Sequence, residues 1–226
     1  MTHDKRFQAV IFDLDGTLLD TLRDIAEAMN RALAHLDLPP HEIEAYRQFV
    51  GEGATALAQK VLPDGHRTDA MTKRLRDLFI KDYRSNWNNY TKPYPGIREL
   101  LDELVKSRIP MAVLSNKPHY FTVVCVETFL DRWPFTIVLG ESETCPKKPS
   151  PDGALRIAHE LNLHPRDFLF VGDTRIDMIT ANRAGMYPCG VLWGFRGKEE
   201  LFASGAKSMV EHPLEIIDLM SFQGDK

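Results

Sequence analysis

The run Val10-Ile11-Phe12-Asp13-Leu14-Asp15-Gly16-Thr17 joins an apolar, β-favouring stretch to two carboxylates and a glycine. Residues two apart on a strand face the same way, so a buried strand ending here delivers Asp13 and Asp15 together to one site. Gly16 lets backbone N–H groups come close to an anion. A plain strand followed by an Asp-Gly turn would be spelled the same way. Other segments of the chain have to separate the two readings.

Short apolar runs recur at Ala9 to Phe12, Met111 to Leu114, Thr136 to Leu139, Phe168 to Val171 and Gly190 to Trp193, with helical patterns mostly between them. That alternation predicts an α/β fold with a parallel sheet and crossover helices. Between Thr21 and about Lys92 the pattern is helical only: Ile25, Met29, Leu33 and Leu36, then Leu57, Val61 and Leu62, then Leu75, Leu78, Phe79 and Tyr83. So long an insertion exceeds a simple crossover, and it predicts a second, all-helical domain over 21–92 within a core made of 1–20 and 93–226. Tyr94-Pro95-Gly96 marks the return. Helices are expected over Ile97 to Lys106, Pro118 to Leu130, Pro149 to Leu163 with Ser150 as its cap, and Ile176 to Ala184, followed by two terminal helices.

In an open parallel sheet the carboxyl ends of the strands gather on one edge, where ligands bind. That edge receives Asp13 and Asp15 from the first strand, Ser115 and Asn116 from the second, and Asp173 with Thr174 from the fourth, with Asp177 four residues further on. Lys148 precedes the helix that Ser150 begins. Carboxylates crowded at low dielectric raise one another's pKa unless a cation joins them. The candidate ligands are all oxygens, which favours Mg²⁺ over zinc. A cation, a lysine, a hydroxyl and turn amides around one space suit phosphoryl transfer.

The 226 residues carry a net charge of −4 and are 43% hydrophobic, an ordinary globular balance with no footprint for nucleic acid or an anionic membrane. The apolar runs are too short to span a bilayer, and the start MTHDKRFQ lacks a signal-peptide core, so a cytoplasmic location is expected. The three cysteines, Cys125, Cys145 and Cys189, show no metal spacing and read as reduced packing residues. No Gly-rich anion loop follows Cys145, which argues against a cysteine nucleophile.

With these residues assembled, the chain resembles the haloacid dehalogenase superfamily of aspartate-nucleophile phosphatases. The signatures stand here as Asp13-Leu14-Asp15-Gly16-Thr17, Leu114-Ser115-Asn116, Lys148 before Pro149, and Gly172-Asp173-Thr174-Arg175-Ile176-Asp177. The resemblance covers nearly the whole chain and implies a Rossmann-like core with an all-helical cap. It further implies that Asp13 attacks phosphorus and that Asp15 protonates the leaving alcohol and then activates water. By the same resemblance Mg²⁺ takes the carboxylates of Asp13 and Asp173 and the backbone carbonyl of Asp15, with Asp177 orienting that set. Ser115, Asn116 and Lys148 would hold phosphate oxygens.

An acid/base carboxylate at Asp15 speaks against dehalogenases and phosphonate hydrolases. Phe49-Val50-Gly51-Glu52-Gly53-Ala54 and Gly190-Val191-Leu192-Trp193-Gly194-Phe195 resemble phosphoglycolate phosphatases, although Gly51 and Gly53 read equally well as a flexible lead into the next helix. The expected ligand is therefore a small phosphorylated metabolite, handled by a monomer or homodimer. Were Glu52 to face the site, its charge would repel the carboxylate of 2-phosphoglycolate unless Arg47, Lys60 or another cation compensated. A β-phosphoglucomutase-like mutase or a pyrophosphatase shares the same signatures. A receiver domain is about half this length, and the intact signatures argue against a non-catalytic phosphate-binding module.

Overall fold

The computed structural model describes residues 7–220. In chain order the elements are β1 (Ala9–Phe12), β2 (Leu19–Asp20), α1 (Leu22–Ala34), α2 (Tyr46–Phe49), α3 (Ala54–Val61), α4 (Asp69–Asn86), β3 (Lys92–Pro93), α5 (Ile97–Lys106) and β4 (Met111–Pro118). There follow α6 (His119–Phe129), β5 (Phe135–Glu141), α7 (Asp152–Glu160), β6 (Phe168–Gly172), α8 (Arg175–Ala184), β7 (Tyr187–Val191), α9 (Lys198–Ala203), β8 (Ser208–Val210) and α10 (Glu215–Met220).

Six strands form one sheet in the order β5-β4-β1-β6-β7-β8, and every neighbouring pair is parallel. The fold is therefore the α/β, Rossmann-like one that the alternation predicts. The side-chain period of two sorts β1 between two layers. Val10 and Phe12 join Leu100, Leu104, Val113 and Val171 on one face, while Ala9 and Ile11 join Ala112, Ile157, Phe170 and Ala181 on the other. Burial on both faces explains why these strands read as unbroken apolar runs rather than alternating ones.

Helices α1 to α4 build a separate apolar cluster. Ile25, Met29 and Leu33 supply one stripe at helical spacing, Leu57 and Val61 a second, and Leu75, Phe79 and Tyr83 a third. Phe121 and Phe195, from outside the insertion, complete it. Thr68 starts α4, its hydroxyl accepting from the Met71 N–H at 3.2 Å.

On either side of the helical segment, β2 pairs antiparallel with β3. Just beyond, the buried Asp24 carboxylate accepts from the N–H groups of Tyr90 and Thr91, the latter at 2.8 Å, and from the Thr91 hydroxyl at 2.7 Å. These bonds fasten α1 to the segment that returns to the core. Asp24→Ala would strip buried N–H groups of a charged acceptor and is expected to lower unfolding stability by roughly 2–4 kcal/mol. Urea denaturation measures this, and a loss below about 0.5 kcal/mol, the usual range of an ordinary surface substitution, would remove the assigned role.

Several sequence expectations are corrected. Ser115 and Asn116, expected to close the second strand of the sheet, lie within β4, which runs on two residues further to Pro118. The helix expected from Pro149 begins at Asp152, with Pro151 at its cap position; Ser150 bonds Asp152 without capping it. Leu36 lies past the end of α1. The two terminal helices are present, but β8 stands between them and adds a sheet strand that the letters Ser208-Met209-Val210 do not advertise. The polar start is outside the described residues up to Arg6.

Candidate active site

β1 ends at Phe12, and its next residue, Asp13, is still tied to the sheet by its N–H, which donates to the Val171 carbonyl at 2.9 Å. β6 runs alongside in register, Phe12 opposite Val171, so Asp173 follows one strand end as Asp13 follows the other. The backbone turns at Gly16, whose φ of 88° favours glycine; a Cβ there would collide with the Asp173 carboxylate. Asp173 is held by two donors, the Thr17 hydroxyl at 3.2 Å and the Phe195 N–H at 2.8 Å. Asp177 stands in the first turn of α8, where one oxygen accepts from the Thr174 N–H at 3.0 Å and from its hydroxyl at 2.7 Å.

One carboxylate oxygen each from Asp13, Asp173 and Asp177 lies within 4.8 Å of the others, and all three residues are buried. Lys148 reaches this cluster, its Nζ 2.8 Å from Asp13 Oδ1 and 2.6 Å from Asp177 Oδ1. One ammonium thus faces three carboxylates. Burial, seconded by the Asp177 charge, pushes Asp13 up to about 7 against the pull of Lys148. Burial likewise raises Asp173, helped by Asp13 and Asp177. For Lys148 burial works the other way, yet Asp13 and Asp177 outweigh it and hold the amine charged. A surplus of buried negative charge on oxygen donors alone fits a hard divalent cation, which would restore the balance that protonation otherwise must. The residues present therefore suit such an ion.

Asp15 points elsewhere. Its carboxylate is gripped by Lys117, at 3.1 and 3.2 Å from the two oxygens, and Lys117 also donates to the Tyr83 hydroxyl at 2.8 Å. Sequence reasoning missed both partners. Tyr83 belongs to the apolar stripe of α4, and Lys117 directly follows Ser115-Asn116 in β4. The adjacency to two candidate ligands was the available signal.

Asn116 is committed to the backbone. Its Nδ2 donates to the Gly51 and Lys148 carbonyls, both at 3.0 Å, and its Oδ1 accepts from the Lys148 N–H at 2.6 Å. It therefore locks the lysine loop to β4 and to the loop after α2. Ser115 accepts from the Lys117 N–H at 3.2 Å, which leaves the serine proton free to donate.

A cavity of about 50 Å³, room for a few water-sized groups, opens onto Asp13, while Lys148, Asp173 and Asp177 lie behind Asp13 and do not line it. Its lining combines Asp13, Asp15, Ser115, Asn116 and Lys117 with Ile25, Val50, Leu57, Phe79, Ile80 and Tyr83 from the helical segment, and includes Gly51 and Gly53. Both glycines have positive φ, 120° and 86°, and a Cβ on Gly51 would press on Thr174. They are thus part of the site and not merely a lead into α3.

Glu52 is absent from this lining. Its carboxylate turns to Lys60 at 3.1 Å and to Arg175 at 2.7 Å; partial burial opposes its charge, but the two cations prevail and lower its pKa. Of the compensating cations named from the sequence, Lys60 does pair with Glu52, whereas Arg47 bonds Glu44 and the Gly194 carbonyl. The condition under which Glu52 would repel an anionic substrate is therefore not met. Of the cysteines, all buried and unbonded to one another, burial pushes Cys125 up to about 11 and Cys189 up to about 12. Burial raises Cys145 too, leaving no nucleophilic thiolate. No helix among the described residues is long and apolar enough to cross a membrane.

Comparison with known proteins gives the same picture. Over 96% of its length the chain is 32% identical to the phosphoglycolate phosphatase of Chromobacterium violaceum, covering 97% of that protein. It is 34% identical to the phosphoglycolate phosphatase of Aquifex aeolicus over 83% of this chain and 86% of that one. A solved structure from Lactobacillus delbrueckii subsp. bulgaricus, with a provisional phosphoglycolate phosphatase name, superimposes with a TM-score of 0.91 at 27% identity, covering 96% of this chain and all of that one. The profile describing haloacid dehalogenase-like hydrolases matches residues 10–191, and with the strand-end aspartates, the lysine and the fold in place, the chain belongs to that family.

Proposed function

We propose that this phosphatase is Mg²⁺-dependent and hydrolyses a small phosphate monoester such as 2-phosphoglycolate through an aspartyl-phosphate. The observation that carries the reading is the buried group of Asp13, Asp173, Asp177 and Lys148 beside a separately held Asp15. Asp13 attacks phosphorus, the bond from phosphorus to the alcohol oxygen breaks, and Asp15 gives that oxygen its proton. Asp15 then takes a proton from water, whose oxygen attacks the phosphorus and releases Asp13 with free phosphate. Lys148 steadies the anion and shields the Asp13 carboxylate from it. The Ser115 hydroxyl and the Asn116 backbone N–H hold phosphate oxygens.

Bound to the carboxylates of Asp13 and Asp173 and the carbonyl of Asp15, with Asp177 orienting the set, Mg²⁺ would supply charge for the phosphoryl group. Residues 21–92 act as a cap over the core formed by 1–20 and 93–226, bending where β2 pairs with β3. Opening of the cap would admit substrate and closing would exclude water. The carbon-rich cap wall also favours a compact leaving group over a sugar, whose buried hydroxyls would lack partners at about 1–3 kcal/mol each.

The test is phosphate release from a panel of 2-phosphoglycolate, sugar phosphates, nucleotides and pyrophosphate, with Mg²⁺ and after chelation. We expect 2-phosphoglycolate to lead by about tenfold in kcat/KM, roughly 1.4 kcal/mol of selective binding, and chelation to abolish release. A different leading ester would overturn the substrate, and activity that survives thorough chelation would overturn the cation. Conversion of β-glucose 1-phosphate without free phosphate would replace hydrolysis by a mutase reaction.

A further inference from the structure

Among the described residues that line the cavity, Lys117 alone carries a cationic side chain. Its ammonium lies within hydrogen-bond distance of both Asp15 oxygens and of the Tyr83 oxygen, and an ammonium can only donate. Tyr83 thus accepts, and its own hydroxyl proton meets no acceptor in the hydrogen bonds of the described residues. Burial keeps that phenol protonated. The cavity therefore holds a donor without an acceptor beside an ammonium, set among Ile25, Val50, Leu57, Phe79 and Ile80, which offer carbon only.

We infer that Lys117 and Tyr83 together recognise a negatively charged group on the alcohol being released, and so select small anionic alcohols over neutral ones. The inference rests on the phosphatase reading above and adds the residues that set specificity. Geometry supports it. Lys117 Nζ lies 3.1 Å from the carboxylate that must reach the leaving oxygen, so an anionic group one or two carbons from that oxygen falls within reach of the same ammonium. Neither residue suffices alone. Lys117 shares its charge with Asp15, and the phenol supplies the donor that is not yet spent. A neutral alkyl group would leave that donor unsatisfied, and a polyhydroxylated one would set its hydroxyls against carbon. Tyr83 belongs to α4 and Lys117 to β4, so the pair exists only when these two elements are together.

The experiment measures kcat/KM for three esters on wild type, Tyr83→Phe and Lys117→Met: 2-phosphoglycolate, a two-carbon bisphosphate and ethyl phosphate. The readout is the ratio of each anionic ester to the neutral one, which cancels any general loss of activity. Tyr83→Phe is expected to lower that ratio about tenfold, the equivalent of roughly 1.4 kcal/mol, and Lys117→Met to lower it further. A fall confined to 2-phosphoglycolate assigns the recognised group to a carboxylate, and one confined to the bisphosphate assigns it to a second phosphate. Ratios unchanged within twofold in Tyr83→Phe, the variant that keeps the ring packing, would overturn the inference. Should wild type hydrolyse none of the esters, the failure would lie with the phosphatase reading instead.

Discussion

Asp13→Asn is expected to reduce kcat by about a thousandfold or more while leaving the far-ultraviolet circular dichroism unchanged. The amide has the shape of the carboxylate but is no nucleophile toward phosphorus, so only uncatalysed or poorly organised attack by water remains. Stability should move the other way from activity. In the metal-free protein the Asp13 charge stands against Asp177 within a buried cluster, and its pKa is raised to about 7. A carboxyl group raised in the folded state favours folding below the unfolded carboxylate range, and that contribution is lost as pH rises toward 7. Above pH 7 the neutral Asn therefore removes a penalty, and in chelator at pH 8 the variant should melt no lower than wild type, a difference that shrinks toward pH 4. Thermal melts at the two pH values and single-turnover rates measure both halves. Activity above about a thousandth of wild type would contradict covalent catalysis.

Much of the site was legible because a strand end fixes direction as well as place. Asp13, Asp173 and Lys148 come from distant parts of the chain, yet each follows or precedes a recognisable element, and the parallel order brings them to one edge. The sheet was legible because strands buried on both faces must be apolar throughout. What escaped was decided by tertiary contact. β2 and β3 pair over two residues each, too short for any periodicity, and exist because the two passages of the chain meet there. Lys117 is polar within a buried strand and looks like a strand terminator until its partners Asp15 and Tyr83 are seen together. Glu52 shows the same limit from the opposite side. Its letter suggested a charge facing substrate, but Arg175, from the first turn of α8, draws it away. The residue that mattered there, Arg175, lies between the two signature aspartates Asp173 and Asp177.

Lys148→Met is expected to separate the structural demand on this lysine from its chemical one. The Nζ is nearly inaccessible, with 2% of the side chain exposed, and lies within 2.8 Å of two carboxylates. Removing one partner from a buried ion pair leaves uncompensated charge and typically costs about 3–5 kcal/mol. Three carboxylates within 4.8 Å would then have no cation, so in chelator the variant should melt well below wild type. Added Mg²⁺ should raise its melting temperature by more than that of wild type, because the ion then supplies the only positive charge in the cluster. Turnover should not recover to the same extent. A phosphate bound without the ammonium loses a preorganised donor, worth about 10²–10³ in kcat, and nothing shields Asp13 from the anion it must approach. If saturating Mg²⁺ restored both stability and turnover, Lys148 would be a counter-charge and no more. If stability recovers and turnover does not, the lysine acts on the phosphoryl group itself, which the cation beside it cannot replace.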